Sequence, residues 1–231
     1  MTIVARAFIN YKNKIMSRSD ENENENEEDQ QFTRVVGNEV YFNGEICDES
    51  ILELNVTLRK VQKDLITRFA DLMPMCQPSI VLYINSTGGC VFSGLSGMDH
   101  IRSMKIPVTT VVDGCCCSAA TFLLMGGHTR LMKENSFVLI HQLSNSFWGK
   151  YEEMKDEMDT ISKLMSHVTN IYRKETNISE RKLKKFMKRD VYLNSEECIR
   201  YGIVSGVFPN LLCLKSSPED PSEECDNDES D

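Results

Sequence analysis

The chain has 231 residues, is 41% hydrophobic and carries a formal net charge of -9. That length suits one domain with tails, and no apolar run reaches the 18 or so residues of a membrane helix. The charge is uneven. Asp20 to Asp29 holds seven acids and no base, and Ser216 to Asp231 holds eight acids and no base. The first nineteen residues hold four bases and no acid, which leaves 22 Lys and Arg against 20 Asp and Glu between Gln30 and Lys215. A nearly neutral body offers no electrostatic face for nucleic acid, so neither nucleic acid nor membrane is an expected partner. Nine cysteines with no secretory signal ahead of them point to free thiols in a reducing, cytoplasmic compartment. The basic first segment leaves an organelle matrix as the alternative. Cys115, Cys116 and Cys117 are consecutive, and in a strand they face alternate sides, so they cannot share one tetrahedral metal. No metal or cofactor is expected.

Residues 1–33, with the Glu21-Asn22-Glu23-Asn24-Glu25-Asn26 repeat, read as a disordered segment, and 211–231 as an acidic disordered tail. The domain is expected over 34–210. Glu39 to Ile46 reads as a short strand. Ser50 and Glu53 have capping-box spacing. Ile51, Leu54, Leu58, Val61, Leu65, Phe69 and Leu72 follow at helical steps up to Pro74. Ser79 to Ile84 is a continuous apolar strand of the kind covered on both faces, closed by Asn85-Ser86-Thr87-Gly88-Gly89. A helix is predicted from Val91 to Met104. Val108 to Val112 forms the next strand, and Ser136 to Ile140 another. From Lys150 a long helix carries Met154, Met158, Ile161, Met165, Val168 and Tyr172 on one stripe with seven-residue echoes. Asn177 with Glu180, and Asn194 with Glu197, have the spacing of helix starts, and Ile203 to Phe208 reads as a last strand. The alternation predicts an α/β fold.

Chemistry concentrates in Asp113-Gly114-Cys115-Cys116-Cys117-Ser118-Ala119-Ala120. A strand that turns sharply into a helix crowds its backbone and admits only small residues. Ser118 at such a turn is either a capping serine or a nucleophile. A hydroxyl nucleophile needs a base, and the base needs an orienting acceptor. Among His100, His128, His141 and His167, only His141 follows an apolar strand, where ligands collect in open α/β sheets. Asp190 stands beyond a basic helical run, Arg181 to Arg189. An acyl-transfer site also needs two backbone donors for the oxyanion, and Gly89 and Ala119 are the candidates.

Taken together, these stretches resemble the proteolytic subunit family of the Clp protease, ClpP. The resemblance is carried by Ile84 to Gly89, Gly114 to Ala120, His141-Gln142, Arg189-Asp190 and Glu197 to Val204, in one order over Arg34 to Phe208. It implies a ClpP/crotonase-like fold, a ββα-repeat superhelix with a protruding handle helix at Lys150 to Lys174. It implies a Ser118–His141–Asp190 triad with the Gly89 and Ala119 N–H groups as oxyanion hole. Substrate would bind at Gly88 and along a handle strand from Leu143 to Gly149, with Leu143, Ser144 and Asn145 in contact. The family assembles as two stacked heptameric rings, takes unfolded polypeptides from an AAA+ unfoldase, and leaves ATP to that partner. Thr87 and Leu143 stand where the family usually has proline, Leu143 to Phe147 lacks the usual glycines, and an acidic tract replaces the apolar amino-terminal pore segment.

Three other readings fit parts of the pattern. They are a head-maturation or other protease of the same fold, an acyl-CoA enzyme of the crotonase type, and an inactive subunit. A one-residue shift of the turn would make Cys117 the nucleophile instead.

Overall fold

A computed structural model describes residues 31–70 and 77–208. The two acidic tracts, the basic first segment and residues 71–76 lie outside the described residues, and the first helix ends earlier than read, at Arg68 with Phe69 as its C-cap. The sheet has eight strands: β1 (Thr33–Val36), β2 (Glu39–Asn43), β3 (Ile80–Ser86), β4 (Val108–Cys117), β5 (Thr129–Met132), β6 (Phe137–Ile140), β7 (Val191–Leu193) and β8 (Gly206–Val207). Their order is β1-β2-β3-β4-β5-β8, with β6 also on β4 and β7 on β6. The β1–β2 hairpin and the β6–β7 pair are antiparallel, and the other pairings are parallel. Ile80, Leu82 and Ile84 of β3 are fully buried, as the continuous apolar run requires of a covered parallel strand.

Three helices cover the sheet: α1 (Asp48–Arg68), α2 (Val91–Arg102) and α3 (Ala120–Gly126). Leu54, Leu58, Val61 and Leu65 of α1 share a core with Met98 and Ile101 of α2 and Leu123 and Leu124 of α3. Helix α4 (Tyr151–Glu175) buries only Val168 and Tyr172, toward its carboxyl end, while Met154 and Met158 are exposed. It is followed by α5 (Glu180–Phe186) and α6 (Ser195–Arg200). This is the α/β architecture with a projecting helix that the resemblance implies.

Several local expectations are corrected. The cap of α1 is Cys47, not Ser50: the Ser50 N–H meets Cys47 Sγ at 3.4 Å and the Cys47 N–H meets Ser50 Oγ at 3.0 Å. Glu53 instead accepts from the N–H groups of Phe32 (3.2 Å) and Thr33 (2.8 Å), tying β1 to the helix. Helix α5 starts from Ser179 without a side-chain cap bond, two residues beyond Asn177, whose backbone N–H donates to the Tyr201 carbonyl at 2.8 Å. The α6 cap, Asn194 with Glu197, is as read. Strands β1, β5 and β7 do not follow from the sequence pattern, since each has one buried position and no clear alternation. The final strand shrinks to Gly206–Val207 at the sheet edge.

A buried polar contact helps lock helix α4 to the core. Thr121 Oγ1 donates to the Ser118 carbonyl at 2.6 Å and lies 2.5 Å from the Tyr172 hydroxyl, with both side chains buried. Deleting one end of a buried pair costs more when the partner left behind is polar. Thr121→Val strands the Tyr172 hydroxyl and is expected to lower unfolding stability by about 1–3 kcal/mol, whereas Tyr172→Phe leaves Thr121 bonded and costs about 1 kcal/mol. Urea unfolding of the two variants checks the order, and a larger loss for Tyr172→Phe would contradict it.

Candidate active site

Sheet register brings the expected residues to one place. Strand β4 pairs with β5 through Thr109 to Val112, then changes partner and pairs with β6 through Cys115 to Cys117. Gly114, at φ +92, makes the change; its N–H donates to Ser136 Oγ at 3.0 Å, and Ser136 Oγ donates to the Val112 carbonyl at 3.0 Å. Because β4 and β6 are parallel with Cys117 opposite Leu139, their carboxyl ends emerge side by side. The β6–β7 pair is antiparallel with Ile140 opposite Val191. One residue further out, that register sets His141 against Asp190. His141 Nδ1 lies 3.2 Å from Asp190 Oδ1.

Ser118 has φ +54 and is the sole non-glycine residue with positive φ among the described residues. Such a conformation costs about 1–3 kcal/mol and persists only when its surroundings over-determine it. Here the Ser118 N–H donates to the Leu139 carbonyl at 2.9 Å, and the Ser118 carbonyl accepts from the Thr121 N–H at 3.0 Å and from the Thr121 hydroxyl. The N-cap of α3 is Ala119, with no side-chain cap bond. Ser118 is therefore not a capping serine, and its hydroxyl is in no hydrogen bond among the described residues. That includes His141: the imidazole and carboxylate meet, and the hydroxyl bonds to neither.

Gly88 (φ +99) and Gly89 (φ +147) pass close to this turn. A Cβ on Gly88 would lie 2.6 Å from Ser118 Cβ, 2.7 Å from the Cys117 carbonyl oxygen and 3.3 Å from the Ala119 nitrogen. A Cβ on Gly89 would lie 2.2 Å from the Ile46 carbonyl oxygen. Ile46 clamps this loop: its N–H donates to the Gly88 carbonyl at 2.9 Å and its carbonyl accepts from the Cys90 N–H at 2.7 Å. Ser86 Oγ takes the Gly88 N–H at 3.1 Å. The N–H groups of Gly89 and Ala119 have no hydrogen-bond partner among the described residues. Ile46, Leu139, Thr121 and Tyr172 are positioning residues that sequence reading missed. Each acts through its backbone or a distant contact, so none belongs to a local motif.

The thiols beside Ser118 are unlike one another. Hydrogen bonding to Cys115 and burial push the Cys117 thiol far up, which keeps it protonated. Cys115, hydrogen-bonded by Cys117 against an opposing effect of burial, is lowered to about 7. Cys117 remains within β4, opposite Leu139, so the one-residue shift that would present its sulfur does not occur. Residues 141–150 form no strand. Ser144 and Asn145 are exposed, Leu143 is half-buried with its N–H 3.3 Å from Met165 Sδ, and Asn145 Nδ2 donates to Glu157 Oε1 at 2.6 Å. An extended segment registers as a strand only when another backbone supplies the ladder. Among the described residues no cluster of three or more His, Cys, Asp or Glu is placed to hold a metal, and no helix is long and apolar enough to cross a membrane.

Comparison with known proteins gives the family. The family model described as Clp protease matches residues 43–210. A Deinococcus radiodurans protein named ATP-dependent Clp protease proteolytic subunit is 35% identical over 134 residues, 57% of this chain and 66% of that protein. A Mesostigma viride protein of the same name is 33% identical over 134 residues, 57% of this chain and 58% of that protein. The match thus spans somewhat under two thirds of each curated relative's length. With the family model covering well over half of the sequence, from the end of β2 past β8, this chain belongs to the Clp protease family.

Proposed function

We propose that the chain is the proteolytic subunit of an ATP-dependent Clp-type serine endopeptidase, and that Ser118, His141 and Asp190 are its triad. The observation that carries this reading is the His141 Nδ1–Asp190 Oδ1 contact at 3.2 Å, next to a serine held at positive φ. With Asp190 engaging Nδ1, the tautomer that leaves Nε2 as acceptor is favoured, and Nε2 is the nitrogen available to the Ser118 proton. Ser118 Oγ attacks the scissile carbonyl carbon as Nε2 takes its proton. The imidazolium so formed faces the Asp190 carboxylate. The carbonyl oxygen becomes an oxyanion, which the unpartnered N–H groups of Gly89 and Ala119 receive. His141 then gives the proton to the leaving amine, and water, deprotonated by the same nitrogen, releases the acyl group from Ser118. No cofactor enters this sequence in this subunit.

Substrate polypeptide is proposed to lie along Gly88 and along Leu143, Ser144 and Asn145. Its backbone would supply the ladder partners that residues 141–150 lack. The relatives are named as proteolytic subunits of an ATP-dependent protease. We extend to this chain a homo-oligomer of two stacked heptameric rings, an AAA+ unfoldase that spends the ATP, unfolded polypeptides as substrates, a cytoplasmic setting and a domain over 34–210. Helix α4 supports the stacking: Met154 is 52% and Met158 63% exposed on a helix whose other end is packed. A methionine stripe of that kind suits a hydrophobic contact with another copy.

Two experiments test the reading. Ser118→Ala is expected to lower peptide cleavage by at least about a thousandfold, while Cys117→Ser keeps it within a few-fold. Undiminished cleavage by Ser118→Ala would overturn the triad. Met154→Glu combined with Met158→Glu places charge in the proposed contact and is expected to halve the native mass from a double to a single ring. A wild-type-like double ring would remove α4 from the stacking.

A further inference from the structure

Helix α5 and the turn after it carry a concentration of positive charge that the proposed chemistry does not use. Six of the nine residues from Arg181 to Arg189 are Lys or Arg. Lys184 pairs with Glu180 at 2.7 Å, and Arg200 approaches Glu197 at 3.6 Å. Arg181, Lys182, Lys185, Lys188 and Arg189 have no carboxylate within ion-pair distance among the described residues. They border two adjoining clefts of about 370 and 360 Å³ that share Lys182 and Lys185. Arg200, Asn177, Ser179, Phe186, Val191 and Tyr201 complete the walls, and neither cleft is lined by an acid. The Lys182 ammonium lies 5.3 Å from the Phe186 ring centroid and 5.6 Å from that of Tyr201, so aromatic faces hold it in place. This is a built basic groove with an apolar floor.

We propose that the groove is the docking site of the chain's own acidic tail, Ser216 to Asp231, bound within the same subunit. Charge complementarity carries the first part of the case: eight acids and no base in the tail, against the unpaired bases of the groove. Placement carries the second. Tyr201, a wall of the groove, is followed by Ser205, whose N–H meets the Arg130 carbonyl at 2.8 Å, then by β8, and then by Phe208, whose N–H meets the Met132 carbonyl at 2.7 Å. Phe208 is seven residues beyond Tyr201, at most about 25 Å away. Eleven residues separate Phe208 from Glu219, the first tail acid, and reach about 37 Å when extended. The tail acids therefore reach the groove without strain. The other acidic tract enters through β1, at the opposite end of the strand order from β8. Tethering raises the tail's effective concentration at the groove to about millimolar, so weak ion pairs suffice. Because Arg189 adjoins Asp190 and lines the groove, the docked tail lies beside the proposed triad.

Carbodiimide cross-linking of the full-length protein tests the proposal without reference to activity, so its failure is distinct from failure of the peptidase reading. Light and isotopically heavy subunits are dissociated and reassembled as an equal mixture, so that rings contain both, then cross-linked, and the lysine–carboxylate amides are mapped by mass spectrometry. Links from Glu219 to Asp231 onto Lys182, Lys185 and Lys188 are expected, all-light or all-heavy, and reduced at least about fivefold by 0.5 M salt, where screening is strong. Tail links spread evenly over Lys60, Lys63 and Lys105 would overturn it, as would mixed light–heavy pairs, or equal yields from Asp20 to Asp29 on the same three lysines. In a second measurement, all eight tail acids are changed to their amides in the full chain. Acetylation of Lys182 and Lys185 by a succinimidyl ester is then expected to rise at least about threefold, with Lys60 and Lys63 unchanged. Unaltered acetylation of the groove lysines would also overturn the proposal.

Discussion

Strand β4 has to serve two sets of neighbours, and the site depends on how it does so. Its first half lies between β3 and β5, and its last three residues pair with β6. The change occurs over Asp113 and Gly114, where positive φ and the Ser136 and Asn85 side chains replace ladder bonds; the Cys115 N–H meets Asn85 Oδ1 at 3.3 Å. Without that change the strand would continue along β5 and end away from His141. With it, the chain reaches Ser118 beside the end of β6, under strain that the Leu139 carbonyl and Thr121 hold in place.

The glycine loop closes on that turn from the other side. Gly88 packs so near Ser118 and the Cys117 carbonyl that no Cβ is tolerated, and Gly89 packs equally near Ile46. Both contacts require backbone-to-backbone approach at positive φ, which glycine alone supplies cheaply. The loop's other polar groups are satisfied by Ile46 and Ser86. Two amides, Gly89 and Ala119, remain without partners in a region where nearly every backbone group has one. Unpaired donors held by a rigid frame are what stabilisation of a developing oxyanion needs.

Charge and apolar surface divide the remainder of the molecule into separate tasks. Helix α4 leaves Met154 and Met158 exposed at one end and is pinned at the other by Tyr172 against Thr121, three residues from the strained Ser118, whose carbonyl Thr121 also bonds. Handle packing and site geometry are thus mechanically joined through α3. Helix α5 and the turn after it hold the unpaired bases before Asp190, so any anion seated there acts on the electrostatic surroundings of the His141–Asp190 pair.

The α/β class, the covered strands, the α4 stripe, the Asn194 cap and the ordered motifs around Gly89, Ser118, His141 and Asp190 are legible in the sequence. Each is local, resting on periodicity or on residue types a few positions apart. The Cys47 cap escaped because thiols rarely fill that role, and β1 and β5 because short edge-like strands with one buried residue have no alternation to read. Convergence was decided by tertiary structure alone. His141 meets Asp190 across a pairing between strands some fifty residues apart, and Ile46 holds Gly89 through backbone atoms any residue carries. Sequence supplies the side chains proposed to bear the chemistry. Strand register, which depends on the energy of the whole sheet, determines which of them touch.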